Sequence, residues 1–328
     1  MSDVARRAGV SRQLVSLVLR DAPGPSATSR EAVRAAVADL GFQANTSAQL
    51  LRQERTRLIG IMFEPRITFE SRFVEHLLER AAKERLGVVL GPVTPERTTD
   101  VVVRELLGAR VEALGCFNPD PSSAALRTAI DRMPVVWLGE RSSEPRVDAV
   151  HSDDDAGVRL VVEHLVALGH RDIAYAGGVG GRVGPDRAEA YRRAMADVGL
   201  EDRIDQILVG FGEEDGATAA RLLLRRATLP TAVIGSSDHV GAALIAVLTR
   251  AGVRVPEDVS VTGYDDSDIA ALSYNDLTAV RQDADLNAGL ALEAMLRRLE
   301  DPRSTPRDMA TPATLTVRGS TGRVRIVP

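Results

Sequence analysis

Arg12 and Gln13 stand side by side just after Ser11, and both side chains can read the edge of a base. A guanidinium can donate two N–H groups to guanine, and a carboxamide can both donate to and accept from adenine. Each well-made pair is worth about 1–3 kcal/mol of discrimination. Other apparent chemistry falls away on inspection. Ser236, Asp238 and His239 have the types of a hydrolytic triad, but three neighbours on one turn cannot converge on a substrate. The glycine run from Gly177 to Gly184 follows an apolar strand, as a dinucleotide loop would. Counted from Gly178, however, the third required glycine is Val183, and no acidic strand end follows. Five histidines and the lone Cys116 have no metal-ligand spacing, so neither metal nor cofactor is expected. Asp153, Asp154 and Asp155 read as the start of a helix at 156, where carboxylates favour the dipole. No catalytic residue is assigned, and no enzyme is expected.

The elements that must hold Arg12 and Gln13 are three short helices. Ser2 and Asp3 can cap the first, whose apolar residues are Val4, Ala5 and Ala8, and Gly9 ends it. Ser11 caps the second. Its Leu14, Val15, Val18 and Leu19 form one apolar stripe, with Arg12, Gln13, Ser16, Leu17 and Arg20 on the opposite face. Pro23-Gly24-Pro25 breaks the chain, and Thr28 with Glu31 has capping-box spacing. The third helix should bury Val33, Ala36, Val37 and Leu40 and stop at Gly41. None is long enough to be stable alone, so the three must share a small core. One Arg-rich amphipathic helix is ordinarily a solvated face. Two compact helices joined through Gly9-Val10 instead suggest a helix-turn-helix, which lays its second helix in a DNA groove.

Charge is distributed to match. Residues 1–57 hold nine Arg against five Asp and Glu, a net of +4, while the whole chain is −5, leaving −9 on residues 58–328. A basic head on an acidic body is expected where only the head meets phosphate.

From Leu58 onward, short continuous apolar runs recur: LIGIMF, GVVLG, ALGCF, PVVWLG, DIAYAGG, QILVGF, TAVIGSS and VSVTGYDD. Helical patterns lie between most of them, which indicates doubly wound parallel α/β layers. Roughly 270 residues is long for one sheet, and the segments group around two. Binding crevices in such sheets open at the carboxyl ends of the strands.

DVARRAGVS, then VS, SATSREAV and ADLGFQAN resemble the headpiece of the lactose/galactose repressor (LacI/GalR) family of bacterial transcription regulators. HSDDDAGVRLVVEHLVALGHRDIAYAGG, VPEDVSVTGYDD, LTAVRQD and LTVRGSTG resemble that family's core, in the right order over essentially the full length. The resemblance implies an N-terminal three-helix helix-turn-helix headpiece at 1–44 and a hinge helix or linker at 45–57. It implies a periplasmic-binding-protein-like core of two subdomains, 58–155 with 282–312 and 156–281 with 313–328. It also implies an effector-responsive DNA-binding regulator, expected to be a repressor, that binds a palindromic operator as a homodimer. Its effector would be a sugar or sugar derivative in the cleft between subdomains, although purines and other small metabolites serve some relatives.

Carried over by position, the DNA-facing residues are Ser11, Arg12, Gln13, Ser16, Leu17 and Arg20, with Ser26, Ser29 and Arg30 at the start of the third helix. The hinge adds Asn45, Ala48, Gln49 and Leu51, with Leu51 as a wedge that unstacks a base step. Three departures stand out. Leu17 occupies a position where the family often has Arg; it can touch a thymine methyl or pack at the rim of the small core. Ala44 replaces a common Pro, so entry into the hinge is less rigid. The chain also begins almost at its first helix, where relatives usually carry a few more residues that touch phosphate.

In the cleft, the resemblance points to Arg187 and Asp265. A guanidinium and a carboxylate facing one small polar molecule can satisfy several hydroxyls at once, or they can form an ion pair within one lobe. Phe69, Phe73, Trp137 and Tyr264 are candidates for apolar walls or for core, and Ser237 and Asp238 lie at the cleft by position. Cys116 in an apolar run, the lack of a secretion signal and the lack of a membrane-length apolar stretch fit a cytoplasmic protein. A solute-binding receptor without operator-specific DNA binding is the alternative; it would carry a secretion signal and no basic head. No leucine heptads follow the core, so a dimer is expected rather than a tetramer.

Overall fold

The computed structural model describes residues 1–19, 22–41 and 55–325, in two compact units, Met1–Thr56 and Arg57–Pro328. The first unit holds α1 (Ser2–Ala8), α2 (Arg12–Leu19) and α3 (Ala27–Asp39). Each helix gives two residues to one buried cluster: Val4 and Ala5, Val15 and Val18, Val33 and Ala36. Gly9 closes α1 at φ +66, a left-handed conformation that glycine adopts without a Cβ penalty. Ser11 Oγ accepts from Leu14 N at 3.2 Å and starts α2.

Two caps differ from expectation. α1 begins at Ser2 itself, so Ser2 and Asp3 lie inside the helix and no side chain caps it. α3 is capped by Ser26 rather than Thr28, with Ser26 Oγ accepting from Ser29 N at 3.2 Å. The helix therefore begins directly after Pro25, where the chain regains its backbone donors. Leu40, expected inside, is 47% exposed because the small core is complete without it.

The second unit contains two six-stranded sheets. β1 (Leu58–Phe63), β2 (Gly87–Pro92), β3 (Ala113–Phe117), β4 (Val135–Leu138), β5 (Asp148–Ser152) and β11 (Asp308–Thr311) form the first. Its order is β11-β5-β4-β3-β1-β2, parallel throughout. β6 (Ile173–Gly178), β7 (Asp205–Val209), β8 (Ala232–Gly235), β9 (Ser260–Asp265), β10 (Thr278–Arg281) and β12 (Thr314–Thr316) form the second. Its order is β12-β10-β9-β8-β6-β7, parallel except for the β10–β12 pair.

Helices cover both faces of each sheet, which is why β3, β4, β8 and β9 are buried along their whole length, and β3, β4 and β8 read as unbroken apolar runs. α4 (Thr68–Lys83) and α12 (Ala284–Glu300) pack on one face of the first sheet, α5 (Thr99–Gly108) and α6 (Ala124–Arg132) on the other. α7 (Asp154–Ala167) and α8 (Val183–Asp197) pack on one face of the second sheet, α9 (Glu213–Leu223) and α10 (Asp238–Arg250) on the other. A single turn, α11 (Asp268–Ala271), follows β9. α7 starts two residues earlier than expected, because Asp153 caps it by accepting from Ala156 N at 3.0 Å.

The chain passes from one sheet to the other three times, after β5, β10 and β11. Strand order reverses between β1 and β3 in the first sheet, and between β6 and β8 in the second. The carboxyl ends of strands at such reversals leave a crevice. No helix among the described residues is long and apolar enough to cross a membrane.

Candidate functional site

One candidate surface lies in each unit. In the first, Ser11, Arg12 and Gln13 are exposed at the N-terminal end of α2, while Ser16 and Leu17 are half-buried. Among the described residues, Leu17 is not one of the apolar residues packed against the buried cluster. Ser26 and Ser29 are tied together at the start of α3, their hydroxyls 3.0 Å apart. Arg30 donates to Ala22 O at 2.6 Å, which commits part of its guanidinium to the turn before α3. Arg20, Asn45, Ala48, Gln49 and Leu51 lie outside the described residues.

In the second unit, the carboxyl ends of both sheets border a cavity of about 760 Å³, within the range of small-molecule sites. Its walls are drawn from Glu64 and Asn118 after β1 and β3, from Val179 to Gly181 after β6, and from Gly210 to Gly212 after β7. Phe69, Arg187, Ser237 and Asp265 line it; Phe73, Trp137, Asp238 and Tyr264 do not. Strand alternation explains Trp137: it faces the α5/α6 side with Cys116 and Val102, and its neighbour Leu138 takes the cavity side. Phe73 sits one turn deeper in α4 and meets Phe117 edge-on, with centroids 5.0 Å apart. Asp238 turns away and accepts from Ser267 N at 2.6 Å and Ser267 Oγ at 2.8 Å.

Tyr264 acts from behind the wall. Its hydroxyl donates to Asp154 Oδ1 at 2.6 Å, and its ring lies 3.7 Å below the Arg187 guanidinium. Arg187 Nε donates to the same Asp154 oxygen at 2.9 Å, and its Nη1 donates to Ser236 O at 2.9 Å. The carboxylate that pairs with Arg187 is thus Asp154. Asp265 instead accepts from Gln282 Nε2 at 2.5 Å. Burial pushes Asp265 up to about 6 against the pull of Arg187, and burial together with the Asp265 charge raises Asp238.

Several lining residues were not foreseen, among them Glu70, Asn118, Phe211 and Gln282. Glu70 had a signal: it shares the buried stripe Val74, Leu77, Ala81 on α4, where a carboxylate is out of place. It is 5% exposed and accepts from Glu64 N at 2.6 Å. Burial raises it to about 8, opposed by that N–H and assisted by the charges of Glu64, Glu140 and Asp265. A carboxyl raised on folding adds stability that is complete below its unfolded value and is lost as pH climbs through about 8. Glu70→Gln is therefore expected to flatten the decline in melting temperature between pH 5 and pH 8, with the largest gain at pH 8. An unchanged profile would show that Glu70 ionises freely.

The two sheets touch across the cavity. Thr68 Oγ1 and His239 Nε2 are 2.8 Å apart, and Arg72 Nη1 donates to Asp266 O at 3.0 Å. Gly181, at φ +52, lies so close to Asn118 that any Cβ would collide with its carboxamide. Gly181→Ala should cost about 1–2 kcal/mol in left-handed strain and also force Asn118 away. Adding Asn118→Ala relieves only the collision, so urea unfolding of the double variant should recover part of the loss. Full recovery would mean that the backbone is not strained.

The two surfaces match known proteins together. Residues 1–45 match the bacterial regulatory proteins of the lacI family, and residues 162–321 match a periplasmic binding protein-like domain. The lactose operon repressor of Escherichia coli (strain K12) is 30% identical over 331 residues, covering 97% of this chain and 89% of the repressor. The chain belongs to the lacI family. Among solved structures, the lac repressor dimer bound to operator and the anti-inducer ONPF has a TM-score of 0.85 at 28% identity, covering 98% of each chain. The complex of the transcriptional regulator CelR with cellobiose has a TM-score of 0.72 at 27% identity, covering 97% of this chain and 98% of that one. This lacI-family chain is accordingly an effector-responsive, DNA-binding transcription regulator with a periplasmic-binding-protein-like core.

Proposed function

We propose that this regulator is a cytoplasmic repressor, not an enzyme, that binds a palindromic operator as a homodimer and takes a sugar in the cavity between its two sheets. Residues 1–44 serve as the DNA reader, 45–57 as the hinge, and 58–328 as the two-lobed receptor, with no metal or cofactor. The observation that carries this reading is the cavity lined from both sheets. A ligand there contacts Phe69 and Asn118 on one side and Arg187, Ser237 and Asp265 on the other, so its occupancy biases the angle between them. If that angle also sets the spacing of two headpieces, effector and operator are linked and each alters the affinity of the other. The operator-bound lac repressor and the cellobiose-bound CelR support the choice of partners. Ser11, Arg12 and Gln13 would read bases, and Leu17 would meet a thymine methyl.

The test is a titration of the full chain against palindromic and random duplexes, with and without sugars, at several salt concentrations. Specific binding should change on addition of at least one sugar. The log–log salt slope should be about −5 or steeper if six or more phosphates are neutralised. Equal affinity for both duplexes under every condition would overturn the proposal.

A further inference from the structure

Four helices point their N-termini toward the cavity region: α4, α8, α9 and α10. Free helix N-termini attract anions through unpaired N–H groups and the dipole, and on that ground alone this would be a phosphate site. Two of the four, however, already carry carboxylates in the first turn, Asp186 on α8 and the run Glu213-Glu214-Asp215 on α9, and α4 and α10 carry the buried carboxyls Glu70 and Asp238 there. At α10 one first-turn donor is in use, and beside α9 and α4 the carboxyls already accept from neighbouring backbone N–H groups. Asp215 accepts from Gly212 N at 3.0 Å, Glu70 from Glu64 N at 2.6 Å, and Ser237 Oγ from Val240 N at 3.2 Å.

The side chains that line the cavity follow the same pattern. Glu64, Glu213, Glu214, Asp215 and Asp265 face it, beside the buried Glu70 carboxyl, against the guanidiniums of Arg66 and Arg187. Both cations are already paired, Arg66 with Glu64 at 3.1 Å and Arg187 with Asp154 at 2.9 Å. His239 is held between Thr68 at 2.8 Å and Glu213 at 3.4 Å. A phosphate or carboxylate entering here would find no cation to itself and several carboxylates nearby. Hydroxyl groups, by contrast, find acceptors in Asp265 and in the Asn118 carboxamide, and apolar ring faces find Phe69, Phe117 and Phe211.

Resting on the proposal that the effector occupies this cavity, we infer that the site selects an uncharged saccharide and rejects phosphorylated or carboxylated ones. Isothermal calorimetry on the full chain tests this with matched sets: glucose with glucose 6-phosphate and glucuronate, trehalose with trehalose 6-phosphate, cellobiose with cellobionate. At least one uncharged sugar should bind, and its anionic partner should bind at least 100-fold more weakly. Glu214→Lys, which replaces a rim carboxylate by a cation, should narrow that ratio 3- to 10-fold. An anionic member that binds more tightly than its parent overturns the inference, as does a screen in which no uncharged member binds. Asp265→Asn then separates the two possible failures. If it changes the affinity of the tight anion at least threefold in either direction, the charge inference fails while the cavity stands as the effector site. If it leaves the affinity unchanged, the cavity itself is not the site.

Discussion

Arg187→Ala should lower the unfolding free energy by about 3 kcal/mol, the lower end of the cost of stripping one partner from a buried ion pair. The lower end applies because the Asp154 side chain keeps 17% of its exposure. The loss comes from the partners left behind rather than from the arginine itself. Asp154 would keep only the Tyr264 hydroxyl at 2.6 Å, the Ser236 carbonyl would lose its donor, and the Tyr264 ring would lose the cation stacked on it. Ligand binding should fall below detection, since Arg187 forms part of the cavity wall. The cause can be isolated by urea unfolding. Arg187→Met alone should be as unstable as the alanine variant, whereas Arg187→Met with Asp154→Asn should recover at least half the loss, because no buried charge is then unpaired. Failure of the double variant to recover would trace the loss to packing.

Replacing Arg12 and Gln13 together by alanine should have the larger effect on DNA. Two lost base pairings at about 1–3 kcal/mol each, repeated in two half-sites, weaken operator binding by about 4 kcal/mol or more, which is about a thousandfold. Affinity for random DNA should fall by less than tenfold, since phosphate contacts rather than base edges supply it. Both residues are exposed, so the melting temperature should not move. A mobility-shift titration with both duplexes decides the matter: an equal loss on each would make Arg12 and Gln13 phosphate ligands only.

How much of this was legible in the sequence depended on whether burial and residue type agreed. β3, β4 and β8 are buried from end to end, and their runs ALGCF, VVWL and AVIG announce parallel strands. β5 is equally buried but reads DAVHS, and no run marks it. Its polar residues are tolerated because Asp148 is held by Arg297 and accepts from Arg307 N at 2.9 Å, while His151 meets Asp308 at 2.8 Å. Those partners lie some 150 residues away, beyond the reach of any local pattern.

The cavity shows the same division. Positions at strand ends were readable, so Ser237 and Asp265 fell in place on the lining. Which way a side chain faces was not, and Trp137 and Asp238 turned elsewhere. The pairing of Arg187 with Asp154 rather than Asp265 depends on how α7 and α8 pack side by side on the second sheet. Glu70 could have been found by asking why a carboxylate interrupts an apolar helical stripe.

The order in which the strands enter the two sheets bears on how the protein is made. β11 and β12 are edge strands, one in each sheet, and they occupy residues 308–316 of a 328-residue chain. Neither lobe can therefore finish its hydrogen-bond ladder until residues 308–316 have been made, whereas the headpiece core of residues 4–36 is made well before them. Until then the nascent polypeptide would present a folded reader tethered to an unfinished receptor. Ribosomes that stall or terminate early would then release fragments able to adopt the DNA-binding fold but deaf to any effector.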